Sequence, residues 1–192
     1  MKINAVMNII KKSAGIYCGM VDDVQWIAAG GAVYNINPLP KLNEEQIIVM
    51  MGVSAKKSAE YVINPLPETI LRLLDKSAHT EKEITRGMIT ICIGGNEYEP
   101  VIINNRVYFI DVRYYKPFDG VEWDIVAWCD KVSDEVIIAV KAGFLVLGYI
   151  APTNVKVDYI AMDLALITET IKRQKEYEAA LVEDFEEDGE EY

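Results

Sequence analysis

The feature that most constrains this chain is a train of short β-branched runs between residues 88 and 150. MITICI, EPVII, RVYFIDV, VEWDIVAW, DEVIIAV and FLVLGYI are each five to eight residues long. They are separated by Gly94-Gly95-Asn96, Asn104-Asn105, Pro117 to Gly120, Lys131 to Ser133 and Ala142-Gly143. Val, Ile and aromatic side chains suit a pleated, half-buried surface, and breaks this short close hairpins. The spacing predicts an antiparallel meander.

Around this meander the pattern changes. GIYCGMV and VQWIAA flank an Asp22-Asp23 turn, and Gly30-Gly31 precedes AVYNI, so residues 15–36 read as strands. Asn43-Glu44-Glu45-Gln46 has the form of a helix start, with Asn capping, acids at the positive end and Gln as the reciprocal partner. That helix should reach Met51 and stop at Gly52; a second fits Ser54 to Val62, and a third begins at Pro67 and runs through ETILRLLDKSA. Two near-copies, NINPLP at Asn35–Pro40 and VINPLP at Val62–Pro67, precede the first and third of these helices. Because the helix pattern repeats at a different offset from the prolines, the pair reads as one structural device used twice. At the other end, Ile160, Leu164, Ile167 and Ile171 space an apolar stripe along a long helix from Lys156 to about Val182.

These elements predict an α+β fold: an N-terminal β segment, short helices, an antiparallel meander and a long C-terminal helix with a flexible acidic tail. The polar stretch HTEKEITRG (His79–Gly87) marks a boundary between residues 1–80 and 88–182, unless the two fuse into one domain. Residues 183–192 form the tail.

Charge and cysteine usage narrow the setting. The net charge is −11, and seven carboxylates lie in the last ten residues, EDFEEDGEEY. Affinity for nucleic acid or anionic lipid comes largely from Lys and Arg, so both partners are disfavoured. The apolar window Val136–Pro152 is too short, and too interrupted by Lys141, to span a bilayer. No export signal is visible, and Cys18, Cys92 and Cys129 are far apart in apolar stretches, reading as buried thiols of a cytoplasmic protein.

Several chemistries lack their residues. His79 is the sole histidine, so histidine triads and His-rich metal sites have no material. No serine sits in a GxSxG elbow, and neither Gly30-Gly31 nor Gly94-Gly95 continues into a phosphate-loop pattern. No catalytic residue, metal ligand or cofactor site is therefore assigned.

The stretch Arg106–Trp128 holds seven of the chain's aromatic residues, interleaved with acids. Large amphipathic rings with a few charges at a loop suit a recognition surface, which places binding at Tyr114, Tyr115, Phe118, Asp119, Glu122 and Trp123. The bland alternative is cross-strand packing. Separately, Glu44–Ile63 resembles a helix-turn-helix DNA reader, with Gly52-Val53-Ser54 as its turn. That resemblance covers about twenty residues and implies that Lys56 and Lys57 face DNA. Ile48 and Ser58 depart from its usual small and apolar positions.

The expected function is thus a non-enzymatic interaction or accessory protein that binds another protein. Small size and acidity fit a phage or mobile-element origin, and a homo-oligomer is compatible with the same features. The alternatives are a helix-turn-helix regulator and a carboxylate-metal enzyme using residues among Asp111, Asp119, Glu122 and Asp124.

Overall fold

The computed structural model of the chain describes residues 1–153 apart from 38, 88 and 134. These residues belong to the first of two compact units. In chain order they form α1 (Ile3–Ile10), β1 (Ile16–Val21), β2 (Val24–Ala29), β3 (Ala32–Asn35), α2 (Glu44–Met50), α3 (Ala55–Ser58), β4 (Ile63–Pro65) and α4 (Glu68–Leu74). Then follow β5 (His79–Lys82), β6 (Thr85–Arg86), β7 (Ile91–Ile93), β8 (Asn96–Ile103), β9 (Arg106–Asp111), β10 (Asp124–Asp130), β11 (Val136–Ala142) and β12 (Leu145–Ile150).

The described residues are mostly β, which corrects the expected α+β class. An eight-stranded sheet runs β4-β1-β2-β3-β12-β11-β10-β5, with β1 and β4 its parallel pair. A second sheet is built on β8, which pairs with β9 along one side and with β6 and β7 at different points along its length. The expected meander is real in its strands but divided between the two sheets. Strands from both sides of the His79–Gly87 stretch share the larger sheet. The long helix and acidic tail expected beyond residue 155 lie outside the described residues.

Turn chemistry accounts for the hairpins. Asp22-Asp23 and Asn104-Asn105 take positive φ at both positions, the geometry whose twist matches paired strands. Helices are shorter than their periodicity suggested, for local reasons. Asn43 and Gln46 form the expected capping box, each backbone N–H donating to the other side chain at 2.9 Å, and α2 ends before Gly52 at positive φ. α3 is a single turn, because Ile63 must already be extended to pair with Ile16. The polar stretch read as a boundary becomes β5 and β6, since β10 offers an edge that His79–Lys82 can complete. Backbone pairing there overrides weak local propensity.

The two NPLP copies part company. After Asn35 the first copy leaves the sheet, with Ile36 donating to the Gln25 carbonyl. The second is itself strand β4. What they share is a buried isoleucine, Ile36 or Ile63, ahead of the prolines.

Strand alternation sorts the core onto the two faces of the large sheet. Ile27, Tyr34, Ile138 and Ile150 point to the face covered by α1, α2 and the second sheet. Trp26, Ala28, Trp128 and Tyr149 point to the other, where Leu66, Leu74 and the α4 residues Ile70 and Leu73 pack. Gln25 is buried on β2, and its amide both donates to and accepts from the Leu42 backbone, which pins the approach to α2. Of the three cysteines only Cys129 is buried, and Cys92 is exposed, correcting the expectation of three buried thiols. Among the described residues β7 is a short strand that pairs only with β8 and leaves this side chain outside.

Candidate functional site

The aromatic-rich stretch begins as strand and ends as loop. At the end of β9, Asp111 accepts the Arg113 backbone N–H at 3.0 Å and pairs with its guanidinium at 2.9 Å. This turns the chain into a tight 3-10 segment, Val112–Phe118. Three contacts fix the segment on the large sheet. Tyr34 donates its hydroxyl to the Tyr114 carbonyl at 3.3 Å, and the Gly31 N–H donates to the Tyr114 hydroxyl at 3.0 Å. Phe118 sits against Tyr34 and over Gly148, where any Cβ would come within 2.9 Å of its ring. Glycine on β12 is what lets the segment lie so close.

The six residues expected to bind therefore divide. Tyr114, Tyr115 and Phe118 are 6%, 5% and 0% exposed and serve as support from beneath. Asp119 and Glu122 are exposed and Trp123 is half-buried at the surface. Asp119 meets Lys2 at 3.4 Å, with both side chains more than half exposed, a pairing worth little in water.

Trp123 lies at the centre of a stacked assembly. Its ring stacks on Tyr115 at 4.9 Å, and the Arg86 guanidinium lies over both rings, 5.2 Å from Trp123 and 5.7 Å from Tyr115. Arg86 is held there by two hydrogen bonds to Glu99, at 2.6 and 3.0 Å. Glu99 is buried, so the pair is strong in geometry and costly to break. The Tyr115 hydroxyl, by contrast, is buried and makes no hydrogen bond of good geometry among the described residues, although Glu99 lies near enough to act on it. Burial first, and then the charge of Glu99, push its pKa up, so it stays protonated. Arg86 and Glu99 were invisible to the sequence reading: one sits in the apparent linker, the other in NEYEP. Only the pairing of β6 with β8 brings them together.

Beside Trp123 opens a hollow of about 490 Å³, rimmed by Glu122, Asp124 and Lys141 and floored in part by Val126. Lys141 is neutralised by Glu81 at 2.9 Å, leaving the carboxylates to set the sign of the rim. The β11–β12 turn contributes Gly143 to the hollow, and the next residue, Phe144, is fully exposed. Leu145 follows, more than half exposed, and Val121 is exposed on the loop before Trp123. Apolar side chains thus stand near an acidic rim.

The other expected sites fare differently. Lys56 and Lys57 are exposed on α3, but that helix is four residues long, about 6 Å, far less than a groove-reading helix presents. Among the carboxylates proposed for a metal, Asp111 is occupied by Arg113, and Asp124 accepts the Ile125 N–H. No group of three or more potential ligating side chains converges among the described residues. Among those residues, too, no helix is long and apolar enough to cross a membrane. Compared with protein families, curated proteins and solved structures, the chain matches none.

Proposed function

We propose that this protein is a non-catalytic binding module that takes up a segment of another protein at the Trp123 hollow. The preferred segment carries an apolar anchor flanked by Lys or Arg. The carrying observation is that Trp123 is preorganised, stacked on Tyr115 with the Arg86 guanidinium against both rings and held there by the buried Glu99. A rigid aromatic at a surface hollow loses little entropy on binding, which is what makes such residues anchors. Glu122 and Asp124 on the rim favour a basic partner, and the net charge of −11 would speed its approach. The exposed Phe144 and Leu145 supply apolar area next to the hollow. A cytoplasmic setting belongs to the same reading, supported by three free thiols.

Selection of a random peptide display library on the immobilised chain tests this. Enriched peptides should pair basic residues with an aromatic or aliphatic anchor. Their affinity should fall roughly tenfold or more on Trp123→Ala. Glu122→Lys with Asp124→Lys should mainly slow association and weaken its salt dependence. Equal enrichment on the Trp123→Ala protein would remove the reading.

A further inference from the structure

On another side of the same unit lies a larger hollow of about 710 Å³, with the opposite charge. It is bounded by the end of α1, the Gly30-Gly31 turn, the β7–β8 turn and the 3-10 segment. Lys12, Arg113 and Lys116 line it, and no carboxylate does among the described residues. Arg113 is paired with Asp111, so Lys12 and Lys116 set the sign, a local reversal in a chain of net charge −11.

We propose that this hollow binds the phosphate group of a small phosphorylated molecule. Lys12 and Lys116 are exposed and make no ion pair or hydrogen bond among the described residues, so both ammonium groups remain to be used. Arg113 is committed through Nε to Asp111, at 2.9 Å, which fixes its fork in place. Its Nη2 donates to the Tyr114 hydroxyl at 3.3 Å. That hydroxyl also accepts the Gly31 N–H at 3.0 Å, yet its own proton has no acceptor among the described residues. A phenol 94% buried, lining the hollow and holding an unused O–H, is a donor waiting for an anion oxygen. Asn8 and Asn96 add amides that make no hydrogen bond among the described residues.

Two carbonyls at the end of α1 are already occupied and do not oppose an anion there. The Ile9 carbonyl accepts the Lys12 N–H and the Ser13 hydroxyl, and the Ile10 carbonyl accepts the Ser13 N–H. Glycine at position 30 keeps the floor open, because a Cβ would come within 2.8 Å of the Tyr114 hydroxyl. The volume lies in the range of small-molecule sites. An extended polyanion would also have to approach the surrounding negative charge, which favours a compact ligand over a nucleic-acid strand.

Calorimetric titration of the full chain with inorganic pyrophosphate, against chloride at matched ionic strength, tests the site. Saturable binding is expected, and Lys12→Glu with Lys116→Glu should weaken it roughly tenfold or more. Lys56→Glu with Lys57→Glu makes the same change in net charge elsewhere and should leave affinity unchanged. All four lysines are exposed, so neither double variant endangers folding. Tyr114→Phe should weaken binding by a smaller factor. Equal weakening by both double variants would reduce the effect to diffuse charge and overturn the proposal. So would the absence of binding above the chloride control. A short DNA oligonucleotide that binds more tightly than pyrophosphate, and is lost with the same Lys12 and Lys116 changes, would also overturn it in favour of a nucleic-acid site.

Discussion

Tyr114 and Tyr115 are adjacent, almost equally buried and carried by the same 3-10 segment, yet they pack in different directions. Tyr114 reaches the β2–β3 turn, where its oxygen accepts Gly31 and Arg113, and it lines the basic hollow. Tyr115 turns toward the second sheet, stacks under Trp123 and leaves its hydroxyl near Glu99 without a well-formed hydrogen bond among the described residues. Successive residues of a tight helix leave it at widely different angles, so one segment can support two surfaces of opposite charge. The pair also separates two uses of a buried phenol. In Tyr114 the oxygen holds the backbone; in Tyr115 the ring supports and the oxygen is a liability.

The largest break in this contrast should come from the turn that Tyr114 holds. Gly30 has φ +62°, and a Cβ there would lie 2.8 Å from the Tyr114 hydroxyl. Gly30→Ala combines left-handed strain with overpacking against a buried ring and should cost about 2–4 kcal/mol in a urea titration. Second, on the Tyr115 side, Arg86→Met would strand the buried Glu99. Because Arg86 is nearly half exposed and water can reach the gap, a loss of about 1–2 kcal/mol is expected by the same measurement.

Third, Tyr114→Phe leaves the Gly31 N–H without its acceptor and should cost about 1 kcal/mol. Tyr115→Phe should be the smallest, within about 0.5 kcal/mol of wild type near neutral pH, because the hydroxyl it removes makes no well-formed hydrogen bond among the described residues. Alkali should separate it further. The folded-state pKa of Tyr115 is raised by burial, so the stability tied to its neutral form is intact below the unfolded value, about 10, and lost as pH rises above it. Tyr115→Phe should therefore lessen alkaline unfolding, followed by circular dichroism. If both Phe variants lose equal stability, the two tyrosines are not used differently.

Much of the framework was legible because it is local. Asp22-Asp23 and Asn104-Asn105 specify their turns by backbone sterics alone, and Asn43 with Gln46 specifies a helix start through hydrogen bonds three residues apart. The β-branched runs likewise became strands. His79–Lys82 was misread because its local signal is polar and irregular, and its strand exists only as the neighbour of β10. NINPLP and VINPLP show the same limit from the other side: nearly one sequence, one copy a turn leaving the sheet and the other an edge strand.

By itself, then, the sequence determined hairpin turns, the strands of the β-branched runs, one capped helix and the aromatic-acidic stretch as a place of interest. Tertiary structure alone decided which of those aromatics face water, since burial depends on what the opposite layer supplies. It also decided that Arg86 meets Glu99 from thirteen residues away, and that Lys12 and Lys116 share one hollow across most of the chain. Such encounters are set by which strands pair, and pairing between distant segments leaves no periodicity in either of them.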